Sequence, residues 1–65
     1  MNDCDIRALL LRTCRELEQV QWETARAVHE HRDAYVWVLI RAQGMLSREI
    51  LRLQRELANR PFSLN

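Results

Sequence analysis

The chain has one glycine and one proline among its 65 residues. These two residue types are the ones that most often interrupt regular structure, so long uninterrupted helices are expected. Lysine is absent, and all ten basic residues are arginine. Strong helix formers (Leu, Arg, Glu, Gln and Ala) dominate the remainder,. The composition predicts an all-α protein.

The chain also lacks a large net charge and a long apolar run. A net charge of +1 provides little electrostatic attraction for nucleic acid or for a membrane surface. The longest apolar run covers residues 34–40, whereas a membrane-spanning helix needs about 20 apolar residues. Nucleic-acid binding is therefore disfavoured, and no membrane association is expected.

Cysteine is scarce, with only Cys4 and Cys14 present. On one helix the two would lie about 15 Å apart along the axis, which is too far for a disulfide bond. No basic and apolar leader precedes them, so a secretory signal is not expected. These features favour a reduced, cytoplasmic setting.

The segment HEHRD, residues 29–33, has histidines on both sides of a glutamate, which suggests a metal site. On a helix, His29 and His31 would point to nearly opposite sides and could not share a metal ion. His29 and Asp33 have the usable four-residue spacing, but two ligands do not make a site. We expect no metal and no cofactor, with both histidines solvated in a turn.

Catalytic motifs are missing as well. Ser47 and Ser63 are the only serines, and neither a glycine-rich loop nor a nucleophile motif is present. Glu49 is the one acid on the apolar stripe of the second helix. A buried carboxylate of that kind can be a catalyst with a raised pKa, but a role in fixing the helix register, or a pair with Arg52, is favoured. We expect that the protein is not an enzyme.

Apolar residues recur every three or four positions in two stretches, which predicts two amphipathic helices at about 5–30 and 34–59. Asn2, Asp3 and Asp5 supply a capping side chain and negative charge at the start of the first helix. The first stripe is Ile6, Leu9/Leu10, Thr13/Cys14, Leu17, Val20, Thr24, Ala27/Val28 and His31. The second is Tyr35, Val38/Leu39, Ala42, Met45/Leu46, Ile50, Leu53 and Leu57.

The two stripes are almost in phase, so a single helix of about 55 residues in a parallel coiled coil is the alternative to a hairpin. The hairpin is favoured because the middle of such a seam would hold polar or small residues, while Asp33 could cap a second helix. The charge of residues 1–33 is −2 and that of residues 34–65 is +3, which also favours antiparallel packing. The predicted fold is a single domain (residues 1–65) consisting of a helical hairpin with a turn near 31–33 and a short tail. It would assemble as a dimer or with a partner.

The second helix begins apolar nearly all round, so a two-helix hairpin cannot cover all of its apolar surface. Apolar patches left exposed in this way usually mark an interface, and tryptophan is a typical hot-spot residue. This predicts a small protein–protein interaction module of the adaptor, co-chaperone or inhibitor type. Its predicted partner-binding residues are Leu11, Trp22, Val36, Trp37 and Ile40.

A second reading concerns the arginines of the second helix. They could contact phosphates, which would make the chain a small nucleic-acid-binding regulator, although four arginines without a base-reading motif are a weak signal. The candidate phosphate contacts are Arg41, Arg48, Arg52 and Arg55.

In size and predicted hairpin shape, the chain is similar to the two-helix co-chaperones of type III secretion needle subunits and to small phage-encoded inhibitors. The likeness concerns architecture alone and covers no motif, so it implies no residue roles. It agrees with a bacterial or phage interaction protein.

Overall fold

The computed structural model describes residues 2–60, which form two α-helices joined by a tight turn. Helix α1 spans Asp3–His29 and helix α2 spans Asp33–Ala58. The helices run antiparallel, and an ion pair of 2.9 Å between Asp3 and Arg60 joins the two ends of the described chain. The predicted all-α hairpin is confirmed, with helix bounds within two residues of those expected. The predicted tail, residues 61–65, lies outside the described residues.

The hairpin is a short, thin rod. Its principal extents are 52 × 14 × 14 Å and its radius of gyration is 15.3 Å, whereas a compact domain of this length would have a radius of about 11 Å. A continuous helix of 55 residues would instead be about 80 Å long. The dimensions therefore fit the hairpin, in which each helix has one neighbouring helix among residues 2–60.

The N-terminus of α1 is capped as the sequence predicts. The Asp5 backbone N–H donates a hydrogen bond of 2.8 Å to the side-chain oxygen of Asn2, which satisfies one of the helix's free donors. Asp3 and Asp5 lie in the first turn, where their negative charge interacts favourably with the helix dipole.

The turn reverses the chain over residues 30–32. The Arg32 N–H donates to the Ala27 carbonyl (2.9 Å) and the His31 N–H donates to the Val28 carbonyl (3.1 Å), the paired hydrogen bonds of a Schellman motif. His31 has a φ of 58°, a left-handed conformation that usually belongs to glycine. The chain therefore reverses direction within the segment HEHRD, as predicted.

Asp33 does not cap α2, contrary to the expectation from the sequence. The capping position is taken by Arg32, which makes no side-chain capping hydrogen bond, and Asp33 is the first residue of the helix. The reason is the compactness of the turn, because the Arg32 carbonyl already accepts a bond from the Val36 N–H (3.0 Å). Asp33 instead contributes negative charge in the first turn.

The core is a single seam between the helices. Ile6 and Leu53 are fully buried near the open end, and Ala27 and Leu39 are buried nearer the turn. On α1 the buried and half-buried positions follow the predicted stripe from Ile6 to Ala27, except that Cys14 is exposed. Val28 and His31, the last predicted positions, are also exposed.

The stripe of α2 is rotated relative to the predicted one. Val36 and Gln43 are half-buried, although the sequence pattern placed neither in the core. Val38 is 62% exposed and Met45 is 66% exposed, although both were expected inside. The seam of α2 is formed by Val36, Leu39, Ala42, Gln43, Leu46, Ile50, Leu53 and Leu57, so six of the nine predicted positions are kept.

Polar side chains occupy part of this seam. Gln43 donates a hydrogen bond of 2.7 Å to the hydroxyl of Thr24, and that hydroxyl donates to the Val20 carbonyl (2.7 Å). The Thr13 side chain is buried and donates to the Leu9 carbonyl (2.8 Å). Each hydroxyl is thus satisfied, as a polar group removed from water requires.

Neither α1 nor α2, the helices of the described residues, is long and apolar enough to cross a membrane.

Candidate interaction face

The hairpin has two long edges, one on each side of the seam, and they differ in charge. One hydrogen bond between the helices identifies the first of them. The Tyr35 hydroxyl on α2 donates to the Glu23 carboxylate on α1 (3.1 Å), so both residues lie on the same edge. The Arg32 guanidinium lies over the Tyr35 ring, 4.8 Å from its centroid. Successive side chains of a helix are rotated by 100° about its axis. The residues directly after Thr24 and Val36, which both lie in the seam, must therefore point toward the edge opposite Glu23 and Tyr35.

The edge marked by Glu23 and Tyr35 is acidic. Glu16 and Glu30 lie seven residues on either side of Glu23 and therefore on the same side of α1. Glu49 and Glu56 follow Tyr35 at multiples of seven residues on α2. We call these five glutamates the acidic edge. It contains more than half of the nine acidic residues of the chain.

Arg52 is held against the acidic edge. Its guanidinium makes a two-pronged contact with Glu49, including an Nε to Oε2 hydrogen bond of 3.1 Å, and also pairs with Glu56 at 3.5 Å. The hydrogen bond from Arg52 lowers the pKa of the Glu49 carboxyl below its ordinary 4.5. On the same edge, the hydrogen bond to Glu23, followed by the charge of that carboxylate, raises the pKa of Tyr35 above 10.0.

The opposite edge is nearly uncharged. Two rows of side chains at seven-residue intervals border it, one on each helix. We call these two rows the open face. Its residues are Leu11, Glu18 and Ala25 on α1, and Trp37, Gly44 and Leu51 on α2.

Large apolar side chains of the open face remain in solvent. Trp37 is 71% exposed, Leu51 54% and Leu11 53%. Ile40 and Val28, which lie between the two rows, are also largely exposed. An exposed set of this size on one side of a small protein is typical of an interface.

Gly44 lies in the centre of the α2 row. A Cβ atom added at Gly44 would meet nothing within 4 Å, so no contact of the hairpin itself requires a glycine there. An interior helical glycine costs about 1 kcal/mol relative to alanine, and the hairpin gains nothing in return.

The five predicted partner-binding residues are therefore not all in one place. Leu11, Trp37 and Ile40 lie on or beside the open face. Val36 is half-buried in the seam, because the stripe of α2 is rotated. Trp22 is 76% exposed on the outer side of α1, where it borders a shallow groove with Glu18, Gln21 and Ala25.

Sequence reasoning missed Val28 and Leu51 as exposed apolar residues, because it assigned Val28 to the core and did not assign Leu51. The signal that could have found Leu51 is its spacing. Trp37, Gly44 and Leu51 are each seven residues apart, a spacing that places them on one side of a helix whatever the phase of the core stripe.

The four predicted phosphate contacts divide into two groups. Arg41, Arg48 and Arg55 form a row on the outer side of α2, with no ion pair to any other residue within 2–60. Arg52 is engaged by Glu49 and Glu56. Only three of the four are thus available to an external phosphate.

The histidines and cysteines do not converge. His29 ends α1 and His31 forms the turn, while Cys4 and Cys14 are exposed on α1. Across residues 2–60 no three side chains of the His, Cys, Asp or Glu type come together in a way that could hold a metal ion.

Comparisons with protein-family models, with curated proteins and with solved structures gave no match to this chain.

Proposed function

We propose that the protein is a protein–protein interaction module that binds through the open face. The observation that supports this proposal most strongly is the 71% exposure of Trp37 on the same side of α2 as the exposed Ile40 and Leu51, while the other side of α2 packs against α1. Burial of one such side chain contributes roughly 1.5–3 kcal/mol. A protein partner that covers this face would supply the burial that a two-helix hairpin cannot.

The segregation of charge supports the same assignment. The charged groups of the acidic edge, where Glu30, Glu49 and Glu56 pair with arginines, favour solvent. The cores of protein interfaces are instead depleted in charged residues and enriched in aromatic ones. The open face contains a single carboxylate, Glu18, among its six residues. An adaptor, co-chaperone or inhibitor acting in the cytoplasm would fit this arrangement.

Site-specific photo-cross-linking tests the proposal. A photoreactive amino acid at position 37 should yield covalent adducts with protein when the chain is produced in its host. The same group at position 16, on the acidic edge, should yield few adducts. An absence of protein adducts at position 37, with the variant folded, would contradict the proposal, and the adduct mass tells self-association from a different partner.

A second candidate function rests on the row Arg41, Arg48 and Arg55, which has no internal ion pairs among the described residues. As a nucleic-acid-binding regulator, the protein would show affinity that falls steeply with salt, because each phosphate contact releases counterions. The double substitution Arg48→Glu/Arg55→Glu, within this row, would abolish such binding, whereas Trp37→Ala would not. No gel shift at low ionic strength would exclude it.

A further inference from the structure

We infer that the open face is covered by a second copy of this chain, in a parallel stack of two hairpins with both turns at the same end. The inference rests on the proposed function and names its partner. A two-fold axis parallel to the helices would place α1 of each protomer over α2 of the other, and would form a four-helix bundle.

The exposed area is that of an incomplete bundle. The accessible surface is 5652 Å², whereas a compact monomer of 7.8 kDa would expose about 4,400 Å². A standard interface buries about 800 Å² on each partner. The extra surface area that the single hairpin exposes, compared with a compact monomer, is therefore larger than the area that a stable dimer buries on each chain.

The two rows of the open face are complementary in size. The antiparallel register of the helices is marked by the Asp3–Arg60 ion pair. It brings Ala25 level with Trp37, Glu18 level with Gly44, and Leu11 level with Leu51. In the parallel stack, residues at the same level on different protomers face each other. Trp37 of one protomer then faces Ala25 of the other, and Gly44 faces Glu18.

This arrangement also gives the exposed Gly44 a role. Because Gly44 has no Cβ atom, it leaves room for the Glu18 side chain of the other protomer. That side chain must pass over the α2 row. Within the hairpin the position is open, so the space is available only to something outside it.

The charges are complementary at the same level. Helical side chains lean toward the N-terminus of their own helix. Because α1 and the facing α2 would run in opposite directions, Glu18 of one protomer and Arg48 of the other lean toward each other. Neither residue has an ion pair with any other residue in the range 2–60, so both are available for this contact.

A contact through α2 alone is less suited to the same surface. Suppose that the α2 helices of two copies packed antiparallel, with Gly44 at the crossing point. Arg41 and Arg48 of one copy would then lie on the same side of the interface as Arg41 and Arg48 of the other. Like charges brought together across an interface oppose association. The stack that pairs α1 with α2 instead brings an acid to Arg48.

Charge reversal tests this inference. Sedimentation equilibrium at micromolar concentration should give twice the chain mass for the unaltered protein. Glu18→Arg and Arg48→Glu should each weaken the dimer about tenfold or more, because they place like charges together. The double variant Glu18→Arg/Arg48→Glu should recover most of the loss. Glu16→Arg, the same charge change on the acidic edge, should leave the mass unchanged.

Circular dichroism of each variant would verify that the helices persist, which is expected because Glu18 and Arg48 are exposed. A monomeric unaltered protein would overturn the second copy as the partner. The proposed function would then stand or fall on the adducts formed at position 37. A dimer that neither single variant weakens, or that the double variant fails to restore, would overturn the parallel stack.

Discussion

The side-chain amide of Gln43 on α2 donates a 2.7 Å hydrogen bond to the Thr24 hydroxyl on α1. It links the two helices within an otherwise mostly apolar seam. Because Thr24 also donates to the Val20 carbonyl, its hydroxyl is satisfied on both sides. A polar pair at one level of a helical seam specifies the register, since any slip would leave buried groups without partners.

Gln43→Ala should lower the free energy of unfolding by about 1 kcal/mol, the typical net contribution of one hydrogen bond. Thr24→Val should cost a similar amount or more, because it leaves the half-buried amide of Gln43 without its acceptor. A double-mutant cycle measured by urea denaturation should give a positive coupling energy. Gln54→Ala, a matched exposed glutamine on the same helix, should change little, and a coupling energy near zero would refute the link.

His31→Gly should stabilise the hairpin by about 0.5–1 kcal/mol. The left-handed conformation of His31 costs an ordinary residue roughly 1–2 kcal/mol, and glycine avoids that cost while losing some entropy on folding. Thermal unfolding followed by circular dichroism measures the change. His29→Gly, within the last turn of α1, should act in the opposite direction. A His31→Gly variant that is no more stable than the unaltered protein would contradict the left-handed conformation at this position.

Gly44→Ala should raise the stability of the isolated hairpin by about 0.5–1 kcal/mol, because alanine is the better helix former and its methyl group meets nothing. The measurement is best made in the Glu18→Arg background, in which the dimer is weakened. A marked loss of stability there would mean that Gly44 is packed within the hairpin after all. Ser47→Ala provides a control for a gain in helix propensity at an exposed position.

The Glu49–Arg52 pair predicts a dependence of stability on acid pH. The pKa of Glu49 is lowered in the folded protein by its hydrogen bond to Arg52. The contribution of the Glu49 carboxylate to the stability of the fold is therefore present above its ordinary pKa of 4.5. It is lost as the pH falls through the lowered pKa of the folded protein,. In Glu49→Gln the decline of stability with falling pH should be shallower. An unchanged acid limb in denaturation curves would contradict the pairing.

The fold could be predicted from the sequence because its signals were redundant. The spacing of Ile6, Leu17 and Val20, the single internal glycine and the polar HEHRD segment all agreed on two helices and a turn. The core face of α2 could not be fixed in the same way. It begins apolar on all sides, so Val38 competes with Val36 for the seam, and hydropathy alone gives no reason to bury Gln43.

The packing of α2 against α1 decides which face of α2 is buried. The Thr24–Gln43 bond and the Tyr35–Glu23 bond set the rotation of α2, and neither can be read from one helix alone. The resulting rotation of α2, which is smaller than one residue, exposes Val38 and Met45. The same rotation takes Val36 out of the predicted partner-binding set while leaving Trp37 and Ile40 exposed.

The most direct measurement is the accessibility of Trp37 to a quencher in solution. In a Trp22→Phe variant, Trp37 is the only tryptophan, and acrylamide quenching of its fluorescence reports whether the open face is covered. We predict strong protection at high protein concentration, with accessibility increasing on dilution and in the Glu18→Arg background. Full accessibility of Trp37 at every concentration, in a folded protein, would contradict coverage of the open face by a second copy.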